Sequence, residues 1–230
     1  MKERGEQLIT TGTYLDKLLG GGVEKGIVTT LYGAPGTGKS NTCMAISANI
    51  AIDKKVIFID TEGGFSPERV KSLVKNEEQM ENILVLKPIT FEEQAETLEK
   101  LSKKELSNIG LIVMDGVASL YRYERDKRSI QEVNQEFAIQ LQRLVVIARK
   151  NNLPVIITNQ VYTDPVTGSF RMVGGDIVPY RSKTMIELLR MNNERIAILR
   201  KHRSLKEGRA VRFIIKEKEI PAISELFFEE

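Results

Sequence analysis

The sequence has a single cysteine, Cys43, and no apolar run as long as a membrane span requires. One cysteine cannot form a disulfide within the chain, so we expect a reducing, cytoplasmic location. The missing apolar run argues against a membrane-spanning helix and against a membrane partner. Residues 1–7 are polar and lack the pattern of a signal peptide. With no internal repeat or low-complexity tract, the 230 residues predict one α/β domain over residues 1–230.

The net charge is small, at +3, but it is unevenly distributed. Two glutamates, Glu207 and Glu217, oppose a group of eight basic residues: Arg200, Lys201, Arg203, Lys206, Arg209, Arg212, Lys216 and Lys218. A basic patch on a nearly neutral protein is typical of a polyanionic partner. A strand edge protected by lysines would have the same composition, so the charge alone leaves both interpretations open.

The most informative motif is a complete phosphate-binding loop, Gly33-Ala34-Pro35-Gly36-Thr37-Gly38-Lys39-Ser40. An apolar run at 27–32 predicts a strand before it, and residues 41–51 predict a helix after it. Glycines let successive backbone N–H groups approach phosphate oxygens, and the helix N-terminus adds a favourable dipole. We therefore expect Lys39 to reach the β- and γ-phosphates and Ser40 to bind Mg²⁺.

Buried strands are predicted at 55–60, 83–86, 111–115 and 154–158, each a short apolar run. Helices are predicted between them. Ser66 and Pro67 should begin a helix that runs to about Lys75. Thr90 with Glu93, and Ser129 with Glu132, are predicted capping boxes. This alternation indicates a mostly parallel central sheet flanked by helices.

The pattern changes after Arg181. Residues 185–190 and 195–199 predict a hairpin around Asn192-Asn193, and 211–215 predict a last strand. We expect these C-terminal strands to extend the sheet in mixed orientation.

Polar groups follow several strands: Asp60-Thr61-Glu62, Asp115 and Asn159-Gln160. Ligands in such sheets bind at the carboxyl ends of the strands, so these groups should converge on the phosphate loop. Asp115 is then expected to support Mg²⁺, and Glu62 to activate an attacking water. Gln160 could bond the γ-phosphate and transmit its presence to the next loop. A GTPase is disfavoured because Asn159-Gln160-Val161-Tyr162 does not match the guanine-reading segment, whereas a small-molecule kinase stays open.

These residues resemble the RecA/RadA recombinase superfamily, and most closely its short archaeal members. The similar segments span nearly the whole chain: 11–22, 60–69, 158–161, Gly174-Gly175 and 195–197. The most specific is Asp60-Thr61-Glu62-Gly63-Gly64-Phe65-Ser66-Pro67-Glu68-Arg69. The resemblance implies a RecA-like P-loop ATPase core with C-terminal antiparallel strands.

By this resemblance, ATP and Mg²⁺ are the cofactors. Lys39, Glu62, Asp115 and Gln160 would be catalytic, Ser40 and Asp115 would hold the metal, and Asn41 and Arg69 would complete the ATP site, with Arg69 stacked on adenine. Two DNA-facing loops are implied as well. Cations that track phosphates, with aromatic rings among them, suit single strands. The first loop holds Arg122, Tyr123, Arg125, Lys127 and Arg128, and the second, 161–173, holds Tyr162, Phe170 and Arg171.

The chain departs from the superfamily pattern in three ways. We expect neither the N-terminal helical DNA-binding domain nor the Phe-x-x-Ala linking peptide, so a long filament is not expected, while a homo-oligomer stays open. Lys201-His202-Arg203 replaces the Asp-x-Pro nucleotide cap, and we hypothesise that Lys201 and Arg203 contact DNA or a partner's phosphates. Gly116 replaces the usual serine after the aspartate, which is expected to slow hydrolysis.

The interpretation that follows is an ATP-binding, DNA-binding accessory protein of recombination and repair, with weak ATPase activity. It would assist a full-length RadA-type recombinase and other repair proteins. The alternatives are a KaiC-like signalling ATPase or autokinase, disfavoured because Gly63-Gly64 follows Glu62 where paired glutamates are usual, and a non-catalytic interaction module.

Overall fold

The structure is a computed structural model that describes residues 7–163, 170–216 and 222–228. Its helices are α1 (Tyr14–Leu19), α2 (Lys39–Ile50), α3 (Pro67–Lys71), α4 (Glu77–Glu81), α5 (Phe91–Lys103), α6 (Ser119–Arg125), α7 (Ile130–Asn151) and α8 (Ile177–Arg181). Its strands are β1 (Leu8–Ile9), β2 (Val23–Glu24), β3 (Val28–Gly33), β4 (Lys55–Asp60), β5 (Ile83–Leu86), β6 (Ile109–Asp115), β7 (Val155–Thr163), β8 (Phe170–Met172), β9 (Thr184–Met191), β10 (Glu194–Lys201), β11 (Arg209–Ile214) and β12 (Ala222–Phe228). None of the helices within these ranges is both long and apolar enough to cross a membrane.

Apart from the short β1–β2 pair, the strands form one sheet in the order β12-β11-β10-β9-β3-β7-β6-β4-β5, with β8 paired to β7. The strands from β9 to β5 in this order are all parallel. Strands β10, β11 and β12 continue from β9 in antiparallel fashion, and β8 is antiparallel to β7. The predicted architecture, a mostly parallel sheet with antiparallel C-terminal strands, is confirmed.

Helices cover both faces of the central strands. In β6, Leu111 and Val113 join the core under α1, α2 and α3, whereas Ile112 and Met114 join the core under α5, α6, α7 and α8. Successive strand side chains point to opposite faces, so a strand that is covered twice needs apolar residues at every position. This requirement explains the continuous apolar runs in the sequence.

Two of the three predicted N-cap side chains, at Ser66 and Thr90, cap their helices, and the third, at Ser129, does not. The Ser66 and Thr90 hydroxyls cap their helices by accepting from Arg69 N and Glu93 N, both at 3.1 Å. Ser129 makes no side-chain cap bond, so the second capping box is wrong, although α7 does begin at Ile130. The helix there starts with a backbone bond alone, from Val133 N to Ser129 O.

Other predicted boundaries need correction. Helix α3 ends at Lys71 rather than near Lys75, and the chain does not continue as one helix because Asn76 has an extended backbone (φ −154°, ψ 172°) and caps the separate helix α4. The prediction that 211–215 is the last strand is wrong, since β12 follows and pairs with β11. The Asn192-Asn193 hairpin is confirmed: Met191 pairs with Glu194, and Asn192 has the left-handed φ of 53° that a tight turn needs.

Candidate nucleotide site and nucleic-acid interface

The phosphate loop joins the end of β3 to the start of α2. Gly36 and Gly38 have φ values of 77° and 100°, in the region that favours glycine. The Lys39 ammonium lies over the loop and donates to Gly33 O at 2.8 Å and Ala34 O at 2.9 Å. Burial lowers the pKa of Lys39, and the charges of Glu62 and Asp115 partly offset this effect. The loop therefore holds a cation whose electrostatic neighbours are the two acids that the sequence analysis assigned to the same site.

Asp115 lies at the end of β6 and is almost fully buried. Its Oδ1 accepts from the Thr158 hydroxyl at 2.6 Å, while its Oδ2 is buried and has no hydrogen-bond partner among the described residues. Burial raises the pKa of the Asp115 carboxyl, and the hydrogen bond from the Thr158 hydroxyl partly offsets the rise. A carboxylate oxygen left without a donor is what an outer ligand of a hydrated cation provides.

The surroundings of Asp115 fit Mg²⁺. A Cβ built on Gly64 would lie 3.6 Å from Asp115 Oδ2 and 3.7 Å from Ser40 Oγ, so the glycine keeps the space between these two oxygens open. Within the described residues there is no group of three or more His, Cys, Asp or Glu side chains that could hold a metal. One carboxylate, one hydroxyl and the ligand's own phosphates are the usual ligand set for Mg²⁺ in phosphate-loop sites.

Glu62 is held in a small network at the ends of β4 and β7. Its Oε1 accepts from Ser119 Oγ at 2.5 Å and from Gln160 Nε2 at 2.9 Å. The turn that carries it is fixed by buried Asp60, whose carboxylate accepts from Gly64 N and Phe65 N, both at 3.1 Å. Sequence reasoning missed Ser119, because no local pattern marks the first residue of α6 as a neighbour of Glu62.

Gly116 makes room for this network. It has a φ of 84°, and a Cβ there would overlap Glu62 Cγ and come within 2.7 Å of both Ser119 Oγ and Thr61 Oγ1. A serine at this position would therefore need Glu62 to move. The glycine that distinguishes this chain from the superfamily pattern is thus linked to the placement of the candidate catalytic acid.

The residues expected around adenine also come together. Arg69, at the start of α3, places Nη2 3.4 Å from Asn41 Oδ1 in the first turn of α2. Its Nη1 lies 3.4 Å from Ser72 Oγ. This arrangement puts a guanidinium plane beside the helix that follows the phosphate loop.

The first candidate DNA segment is helical as far as Arg125, the last residue of α6, whereas Lys127 and Arg128 lie in the connection to α7. Arg122 and Tyr123 lie on α6 and line a cavity of about 730 Å³ together with Glu62, Ser119 and Gln160. Tyr123 is 73% exposed. The cavity does not include the phosphate loop itself; it opens beside it, at the same carboxyl edge of the sheet.

The other members of that segment differ in their contacts. Arg125 lies over the Tyr121 ring at 5.8 Å. The Arg128 guanidinium makes two bonds to Glu136, at 3.0 Å and 2.5 Å, so its charge is already compensated on α7. Lys127 is exposed between α6 and α7.

The second candidate segment forms the β7–β8 hairpin, in which Tyr162 pairs with Arg171. Both side chains are exposed. The Phe170 side chain and residues 164–169 lie outside the described part of the chain.

Lys201-His202-Arg203 lies at the opposite edge of the sheet. Lys201 pairs with Met185 near the start of β9, where the parallel strands begin. Its ammonium donates to Pro179 O at 2.8 Å, and Arg203 Nε lies 2.8 Å from buried Glu24. His202 Nδ1 accepts from Ser204 N and Leu205 N. These contacts are internal, so the hypothesis that Lys201 and Arg203 bind DNA stays a prediction, and its test needs a stability control.

The fold and this site define a phosphate-loop core of the RecA type. The family model described as Rad51 matches residues 4–222, and the chain belongs to the Rad51 family. It is 42% identical to a "DNA repair and recombination protein RadB" of Methanococcus maripaludis, over 93% of this chain and 100% of that protein. It is 40% identical to the protein of the same name from Methanobrevibacter smithii, over 92% and 94%.

A solved structure agrees with these sequence matches. The "Crystal structure of the RadB recombinase" superposes with a TM-score of 0.78 at 35% identity, covering 93% of this chain and 99% of that one. The resemblance to short archaeal members of the recombinase superfamily, and the RecA-like fold, are confirmed.

We predict that Asp115→Asn stabilises the protein without nucleotide. At neutral pH the wild-type carboxylate is charged in a buried site that raises its pKa, whereas Asn is neutral and can still accept from Thr158. The gain should be about 1 kcal/mol in urea unfolding at pH 7. It should shrink as the pH falls through the carboxyl's pKa, because the wild type then becomes neutral too. A constant difference between pH 7 and pH 4 would contradict this explanation.

We also predict that Gly116→Ser destabilises the fold more than Gly63→Ser. Gly63 has a φ of 71° but nothing within 4 Å of a built Cβ, so it is a control for backbone strain alone. That strain should cost about 1 kcal/mol, and the added overlap with Glu62 should bring Gly116→Ser to about 3 kcal/mol. Equal losses in chemical denaturation would show that Glu62 is not held against Gly116.

Proposed function

We propose that this chain is an ATP- and DNA-binding accessory protein of homologous recombination and repair that hydrolyses ATP weakly. The observation that carries the proposal is the convergence of Lys39, Ser40, Glu62 and Asp115 at one edge of the sheet, beside the phosphate loop. The relatives are named as DNA repair and recombination proteins, which supports the biological setting.

In the proposed site, the loop's backbone N–H groups and Lys39 bind the phosphates. Ser40 and Asp115 would hold Mg²⁺, which when bound supplies positive charge to the phosphate oxygens. Glu62 orients the attacking water and accepts its proton. In the structure Glu62 Oε1 already accepts hydrogen bonds from Ser119 and Gln160, so a water bound at this oxygen would compete with two donors, which agrees with slow turnover.

Gln160 would couple ATP binding to the conformation of the candidate DNA surface. Its amide donates to Glu62, so a γ-phosphate would compete with Glu62 for the same N–H group. Gln160 lies in β7 two residues before Tyr162, which pairs with Arg171 on β8. A change of partner at Gln160 would therefore shift the β7–β8 hairpin, and ATP would act more as a conformational ligand than as fuel.

We further propose that the chain modulates a full-length RadA-type recombinase and contacts other repair proteins. The candidate nucleotide site and the candidate DNA surface lie at one edge of the sheet, which leaves the other surfaces of the core for a protein partner. Self-association into a homo-oligomer is compatible with the same arrangement.

Replacement of Glu62 by Gln should separate binding from hydrolysis. Glutamine keeps one side-chain oxygen that can accept from Ser119 and Gln160, but it cannot accept the water's proton. We therefore expect hydrolysis to fall about 100-fold or more with ATP affinity nearly unchanged. Phosphate release and fluorescent-nucleotide titration would measure the two effects. Glu92→Gln, on the exposed side of α5, is the control.

Two outcomes would contradict the assignment of Glu62. Full hydrolysis by Glu62→Gln would remove the acid from the reaction. Stable transfer of the γ-phosphate to the wild-type protein would instead favour the autokinase alternative.

Removal of the Tyr123 ring should weaken single-stranded DNA binding. Tyr123 borders the cavity beside Gln160, and stacking of a base on an aromatic ring contributes about 1–3 kcal/mol, so Tyr123→Ala should cost roughly tenfold in affinity. Tyr180→Ala is a matched control, since Tyr180 is 76% exposed but lies on α8, whose Pro179 O contacts Lys201 at the far edge. Gel shifts at two salt concentrations would compare them. A larger loss from Tyr180→Ala would place the DNA at that far edge instead.

A further inference from the structure

Two arginines face each other at the tip of the β9–β10 hairpin. Arg190 and Arg195 are direct partners in the antiparallel register, so their side chains project from the same face of the sheet. On β9 and β10 that face also carries Leu188 and Ala197, which belong to the core beneath α2. The pair therefore ends an apolar row with two positive charges.

No acid in the described part of the chain forms an ion pair with either arginine. Like charges directly opposite each other on neighbouring strands destabilise a sheet. Glu187, on the same strand as Arg190, instead forms an ion pair with Arg200, whose Nη2 lies 2.7 Å from Glu187 Oε2. Arg195 Nη1 donates to the backbone oxygen of Glu194 at 3.1 Å, and its Nε is buried without a partner. Burial, and then the charge of Arg190, lower the pKa of Arg195.

The hairpin also packs against the phosphate loop. A Cβ built on Gly36 would lie 3.9 Å from Arg190 Nη1, and one built on Gly33 would overlap Leu188 O. Ile215, which follows β11, covers Gly38 in the same way. The Arg190 guanidinium is thus at the rim of the loop, and Arg195 is its direct cross-strand neighbour.

We propose that Arg190 and Arg195 form an anion subsite that binds phosphate oxygens of a nucleoside triphosphate held on the phosphate loop of the same chain. This inference rests on the proposed function and names two further groups of its nucleotide site. Guanidinium groups bind phosphate through charge-assisted, often bidentate hydrogen bonds. An anion would relieve the repulsion within the pair and give the buried Nε group of Arg195 an electrostatic partner.

The test compares Arg190→Gln and Arg195→Gln with a charge-matched control. Lys183→Gln removes one exposed positive charge from the residue just before β9, at the far edge of the sheet. Titrations with ATP, ADP and AMP, each with Mg²⁺, should show about a tenfold loss of ATP affinity in both arginine variants. Loss of one hydrogen bond to a charged group reduces affinity by about this factor. AMP binding and the control should change less than twofold. Arg190→Lys should recover part of the loss.

The melting temperature is a second readout, and without nucleotide it should not fall in the variant that loses ATP affinity. Without nucleotide, Arg190→Gln should melt at the same temperature as the wild type or higher, because one of two repelling charges is gone. With saturating ATP, its gain in melting temperature should be smaller than that of the wild type. A variant that merely damaged the fold would instead melt lower under both conditions.

The outcomes distinguish this inference from the proposed function. Wild-type ATP affinity in both arginine variants would overturn the subsite and leave the proposed function standing. Weaker DNA binding at unchanged ATP affinity would also overturn it and assign the pair to a DNA phosphate. Failure of the wild type itself to bind ATP would overturn the proposed function, and the subsite with it.

Discussion

Two threonine hydroxyls tie the carboxyl ends of three parallel strands together, and the candidate site depends on them. Thr158 on β7 donates to Asp115 Oδ1 at 2.6 Å and accepts from Gly116 N at 2.7 Å. Thr61, after β4, donates to Asp115 O at 2.9 Å and Gly116 O at 2.7 Å. Because these bonds join the strand ends side to side, they set where Glu62, Asp115 and Gln160 lie relative to the phosphate loop. A parallel sheet alone would bring the strands together without fixing these side chains.

At this edge of the sheet, charged groups of both signs are not fully compensated by the protein. This arrangement favours binding of a polyanion together with a cation. Asp115 is buried with one unsatisfied oxygen, and Lys39 is buried among carbonyl groups. Arg190, close to Gly36 of the loop, and its cross-strand neighbour Arg195 add a second positive centre. Asp115 and Lys39 cost stability in isolation because buried charges are unfavourable unless they are paired, and the facing arginines cost stability through their mutual repulsion. Such local costs are typical of binding sites, where a ligand supplies the missing partner.

Glu62 connects the candidate nucleotide site with the candidate DNA surface. Its Oε1 accepts both from Ser119, which begins the helix of Arg122 and Tyr123, and from Gln160, which precedes the β7–β8 hairpin. Any change in the position of Glu62 therefore acts on both elements. Gly116 is part of the same arrangement, since its missing side chain leaves the space that Glu62 occupies.

The sequence by itself determined the phosphate loop, the parallel strands and the family, because each depends on local spacing or on runs of apolar residues. It also placed Asp115 and Glu62 at strand ends, which is enough to expect their convergence. It did not determine the missing cap at Ser129, the extra strand β12, the contact of Ser119 with Glu62, or the pairing of Arg190 with Arg195. Those were decided by tertiary structure, because register and packing bring together residues that lie far apart in the chain and leave no local pattern.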